Sequence, residues 1–80
     1  MKKFSTGVPI KRSVTIAGHR TSISLEAEFW DALQDIAKRQ EQSVSGLIAE
    51  IDAAREAPHT AGGLSSAVRC YVLAWYRKRA

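Results

Sequence analysis

The chain is short of everything that braces a small protein from within. Its one cysteine, Cys70, has no partner for an internal disulfide. Two histidines, His19 and His59, with that one thiol fall short of a zinc set, so no metal or other cofactor is expected. No apolar run approaches the length of a membrane-spanning helix. Lys2 and Lys3 are not followed by the apolar stretch of a secretory signal. The scarcity of cysteine suits a reducing compartment, so a cytoplasmic, nucleoid-associated protein is the expectation and no membrane partner is foreseen. Catalytic sets are missing too: there is no paired-carboxylate site, no nucleophile with its histidine and acid, and no phosphate-cradling glycine loop, Gly62-Gly63 being only a breaker. An enzyme is not expected.

Acidic residues are also absent from one whole region. Residues 1–25 carry Lys2, Lys3, Lys11, Arg12 and Arg20 and no acid. Residues 26–56 reverse this, with eight acids against Lys38, Arg39 and Arg55, and residues 57–80 return to basic with Arg69, Arg77, Lys78 and Arg79. A basic end ahead of an acidic middle points to one surface that faces a polyanion. With 80 residues and no staple, a chain this small has a marginal core, and a second copy is the obvious way to enlarge it.

What the chain does have is a short alternating stretch, Arg20-Thr21-Ser22-Ile23-Ser24-Leu25. In a strand Thr21, Ile23 and Leu25 fall on one face and Arg20, Ser22 and Ser24 on the other. The first set suits a core and the second is made of hydrogen-bonding groups without bulk. Ahead of it, residues 1–10 lack periodicity and read as a flexible arm. Residues 11–16 are β-branched enough to form a second strand, turning at Ala17-Gly18-His19 into a hairpin; equally, 11–19 can run as an extended arm beside DNA. Residues 1–19 are therefore taken as a basic arm with a possible short extra strand, and 20–80 as the domain.

After Leu25 the period changes to 3.6. Phe29, Leu33, Ile36, Ala37 and Gln40, with Trp30 widening the stripe, predict a helix over 26–40. Glu26, Glu28 and Asp31 suit its positive end, and Lys38 and Arg39 its negative end. Ser43 is a good cap for a second helix over 43–56, with Val44, Leu47, Ile48, Ile51 and Ala54 on one face and Gly46 near its start. A third helix is predicted over 64–78, capped by Ser65 or Ser66, with Leu64, Val68, Tyr71, Val72, Trp75 and Tyr76 as its apolar face. Cys70 reads as a small hydrophobe at the core edge, Trp75-Tyr76 as a packing cluster, and Trp30 as core or dimer interface. His19 reads as a turn histidine, and residues 77–79 as a solvated tail.

The strand, the helix after it, the break near Gln42 and the helix opening at Ser43-Val44-Ser45-Gly46-Leu47-Ile48 together resemble the ribbon-helix-helix family of bacterial DNA-binding proteins. That resemblance implies a mainly α fold built as a homodimer, with one N-terminal strand paired between subunits and two to three helices behind it. Such a ribbon enters the major groove of double-stranded DNA. It would put Arg20, Ser22 and Ser24 on bases. Lys11 and Arg12, with the backbone N–H groups of Val44, Ser45 and Gly46, would lie on phosphates. Ile23, Leu25, Trp30, Leu33, Leu47, Ile48 and Ile51 would form the core of the dimer, which is left free to assemble further. The implied role is a transcriptional regulator, with repression the expected effect. Two departures stand beside it. The chain continues through a third helix, and Gly63-Leu64-Ser65-Ser66-Ala67-Val68-Arg69 also looks like a second-helix start, which would make 43–56 an insertion. The rival functions are an antitoxin-like module of the same fold that holds a partner protein, and a nucleoid or RNA coat without sequence choice.

Overall fold

The computed structural model describes residues 7–55 and 63–79. The expected arm lies partly outside these residues, as do His59 and the loop around it. Two strands open the fold, β1 (Ile10–Ile16) and β2 (His19–Leu25). Three helices follow, α1 (Ala27–Arg39), α2 (Val44–Ala53) and α3 (Gly63–Arg79).

The strands form an antiparallel hairpin from Ile10 opposite Leu25 to Ile16 opposite His19. This resolves the sequence's open choice: residues 10–16 are a strand of the sheet, not an arm. Within the chain, the strand hydrogen-bonded to β2 is β1, as the hairpin reading of the sequence has it. The cause is the link between them. Ala17 and Gly18 both have positive φ, 51° and 82°, which makes a two-residue type I′ turn whose twist matches that of the strands.

Alternation then divides the sheet into two faces. Ile16, Ile23 and Leu25 are buried on the helices, with Val14 partly buried beside them. Trp30, Leu33, Ile36 and Ala37 of α1, Leu47, Ile48 and Ile51 of α2, and Val68 and Val72 of α3 complete the core. Every residue expected in a core shared between subunits is thus covered by its own chain.

The helix ends explain the course of the chain. Glu26 caps α1 through its backbone, in an extended conformation and without a side-chain hydrogen bond, because its carboxylate is used elsewhere. At the other end, Gln42 N–H donates to Ala37 O at 3.0 Å and Glu41 N–H to Lys38 O at 3.1 Å. This is a Schellman closure with Glu41, at φ 54°, in the left-handed position that glycine usually fills. Ser43 then caps α2 as expected, its Oγ accepting from Gly46 N–H at 3.0 Å. α3 begins at Gly63, so Ser65 and Ser66 lie inside its first turn and not at its cap. Ala54 ends α2 exposed, and Tyr76 is exposed on α3, so both leave the apolar faces assigned to them.

Candidate nucleic-acid interface

The register decides which side chains share a face. Directly opposed residues of an antiparallel pair project to the same side. Thr15 is opposite Arg20, Ser13 opposite Ser22, and Lys11 opposite Ser24. The face turned away from the helices therefore carries two cations, three serines and a threonine, and neither an acid nor an apolar side chain. Five of the six residues are exposed, and Ser24 is half-buried. The sequence-predicted trio Arg20, Ser22 and Ser24 is brought together on it, with Lys11 beside it. Ser13 and Thr15 were missed, although their alternation with Val14 and Ile16 was visible once 11–16 was taken as a strand.

Arg12 belongs to the opposite face. It stands opposite Ile23, and its guanidinium lies 5.2 Å from the centre of the Trp30 ring. Arg12 and Lys11, expected together, therefore lie on different faces of the sheet, since adjacent strand residues point to opposite sides. Trp30 itself is 3 % exposed, and its indole N–H donates to Ile10 O at 2.9 Å, holding the start of β1 to α1. His19 is opposite Ile16 and so lies outside the polar face.

A second tie holds the other strand at the same, open end of the hairpin. Arg69 of α3 donates from Nε to Glu26 Oε1 at 2.9 Å and from Nη2 to Glu26 Oε2 at 3.2 Å. Nη2 also reaches the Ser24 carbonyl at 3.3 Å. The Arg69 hydrogen bonds hold the Glu26 carboxyl below its ordinary range, with a backbone hydrogen bond adding to the effect. Arg69 lies 5.8 Å from the Phe29 ring centre as well. One side chain thus fixes the last residues of β2, the start of α1 and the middle of α3.

At the start of α2 the N–H groups of Val44 and Ser45 belong to the first turn, where no helical carbonyl precedes them to accept. That of Gly46 is taken by Ser43 Oγ, so only two of the three expected backbone donors stay open. A Cβ at Gly46 would meet Gln42 Oε1 at 3.0 Å and Ser43 Oγ at 3.2 Å, so the glycine serves this crowded cap.

On α3, Trp75 stacks on Tyr71, not on Tyr76, with ring centres 6.5 Å apart and the Arg79 guanidinium 3.3 Å above the Trp75 ring. Arg79 thus folds back along its own helix while residues 77–79 stay exposed to solvent, as expected. Cys70 is exposed and so is not the core-edge residue expected. Among the described residues no group of three metal-binding side chains comes together, and no helix is long and apolar enough to cross a membrane.

A sequence model of the ribbon-helix-helix domain family matches residues 9–76. The match includes both candidate second-helix starts. Comparison with curated proteins and with solved structures gives no match.

Proposed function

Because the chain belongs to the ribbon-helix-helix domain family, whose members commonly bind DNA, we propose that it binds double-stranded DNA sequence-specifically as a homodimer and regulates transcription, as a repressor. The observation that carries this reading is the acid-free polar face of the hairpin, with Arg20, Ser22 and Ser24 across from Lys11. A two-stranded ribbon fits the major groove, and arginine matches the paired acceptors of guanine. Lys11, on the same face, supplies charge to the phosphates. The open N–H groups of Val44 and Ser45 are suited to a second phosphate, since a helix start attracts anions. For the dimer, the support is the family's general habit of binding DNA in pairs, together with Leu73 and Tyr76, which are 57 % and 44 % exposed on α3.

Fluorescence anisotropy with a duplex selected from random sequence tests the proposal. Arg20→Ala is expected to weaken binding to the selected duplex by about 1–3 kcal/mol while binding to unrelated duplexes changes little. Lys11→Ala is expected to weaken binding to all duplexes and to lower the slope of log affinity against log salt by about one. Arg12→Ala, on the other face, is expected to leave that slope unchanged. A wild-type protein that binds no duplex at low salt, or binds all of them equally, defeats the reading.

A further inference from the structure

Each strand of the hairpin has one paired edge and one outer edge, and the register says which backbone groups lie on which. The two-residue turn closes on Ile16 and His19 as a hydrogen-bonded pair, and along an antiparallel ladder such pairs alternate with pairs that exchange no bond. His19, Thr21, Ile23 and Leu25 therefore direct their N–H and C=O groups to β1. Those of Arg20, Ser22 and Ser24 point the other way, to the outer edge of β2. One of these outward groups is taken: Arg69 Nη2 donates to the Ser24 carbonyl at 3.3 Å, and both oxygens of Glu26 hold the guanidinium there. A strand added to this edge would run about 4.8 Å from β2. Beside Ser24 it would pass through the place of that guanidinium, whereas Arg20 and Ser22 are exposed.

We propose that Arg69 sets the register in which β2 pairs, antiparallel, with the β2 of a second copy, so that the two Thr21 residues meet on the two-fold axis. This rests on the dimeric DNA-binding reading above. In that register Arg20 N–H donates to Ser22 O of the second copy and Ser22 N–H to its Arg20 O, and the symmetry repeats both bonds. The second copy comes opposite Ser24 only with Gly18, at its turn, where the chain bends away toward its own β1 and leaves the guanidinium in place. A longer ladder, with the two Ser22 residues on the axis, would set Arg20 of one copy opposite Ser24 of the other, and Arg69 bars it. Pairing through this edge also sorts the outward chemistry, with Arg20 and Ser22 in the middle of the ribbon and Lys11 of each β1 outside it. At about 3.4 Å per residue the two Arg20 positions then lie about 7 Å apart along the ribbon, against about 14 Å in the barred register. Arg69, which touches no base, thereby decides how far apart the two copies place their arginines.

Disulfide trapping in the full-length chain tests this. Cys70 is exposed, so Cys70→Ser removes the native thiol, and Thr21→Cys or Ser22→Cys is added singly. Across the two-fold axis a residue on it meets its copy within disulfide reach, while a residue one step off it stands about 8 Å from its copy, beyond the roughly 7 Å limit between Cα atoms. With oxidised glutathione, the Thr21→Cys protein is expected to form a covalent dimer on a non-reducing gel and the Ser22→Cys protein is not. Adding Arg69→Met, with circular dichroism confirming the fold, is expected to bring Ser22→Cys into the covalent dimer. Crosslinking through Ser22→Cys with Arg69 present overturns the inference, as does a pattern that Arg69→Met leaves unchanged. If the protein sediments as a dimer and binds duplex DNA yet neither cysteine crosslinks, the copies are not joined through β2, and the inference falls with DNA binding left standing. If the protein sediments as a monomer, or binds no duplex, the functional reading fails first and this one with it.

Discussion

Two side chains sit where the backbone would rather have none. Ala17 and Glu41 both have positive φ, in a region that costs an ordinary L-residue about 1–2 kcal/mol relative to its preferred conformation. Each holds a connection on which the fold depends: Ala17 the hairpin turn, and Glu41 the closure of α1 ahead of the α2 cap. Asparagine visits this region more readily than alanine and favours a type I′ turn before glycine, so Ala17→Asn is expected to stabilise the protein. Glu41→Gly removes the steric cost but loosens the unfolded chain, leaving a net gain of about 0.5–1 kcal/mol. Thermal unfolding followed by circular dichroism checks both. For a domain of this size, 1 kcal/mol corresponds to a rise of about 4–8 °C in Tm. A fall in either Tm would mean that the side chain makes a contact worth more than its strain.

At the scale of elements, the two strands of the hairpin are held at its open end by contacts of different kinds, Trp30 on Ile10 of β1 and Arg69 on Ser24 and Glu26 at the end of β2. The second is sensitive to pH. The folded Glu26 carboxyl is depressed by Arg69 below its ordinary value of 4.5, so it contributes stability above that pH and loses it as pH falls through the lower folded-state value. Arg69→Met is expected to reduce this acid-side loss. Urea midpoints of the two proteins, well separated at pH 6, should converge as the pH is lowered below 4; midpoints that run parallel throughout would reject the linkage. The contrast between these ties shows what was legible beforehand. The inward and outward faces of β2 and the course of α1 and α2 followed from periodicity and capping, and the outward trio was found that way. The partner of β2 within the chain stays open in the sequence between a hairpin and an extended arm, because alternation assigns faces and not neighbours, and the turn that decides the matter uses Ala-Gly where Asn-Gly would have announced it. Arg12 and Lys11 share a charge, but one step along a strand reverses the face, and only Lys11 stands with the outward trio. The Arg69–Glu26 pair joins residues too far apart in sequence for any local pattern to reveal.

For the whole molecule, the notable quantity is how little core there is. A chain of 80 residues has about 4–12 kcal/mol of stability in all, at the usual 0.05–0.15 kcal/mol per residue. Leu33 is fully buried, and Leu33→Ala is expected to cost about 2–5 kcal/mol, enough to leave a large part of the population unfolded at 37 °C. Calorimetry at two protein concentrations would show this. A loss below 1 kcal/mol would mean that the site collapses to fill the space. The same thinness of the core puts Trp30 close behind the sheet. Its indole is dry, its N–H is bound to the backbone of β1, and a guanidinium covers the ring. The protein consequently carries its own optical gauge: lifting the hairpin off the helices wets this indole and shifts its emission to the red, whereas a ligand arriving on the outer face of the sheet leaves its colour unchanged.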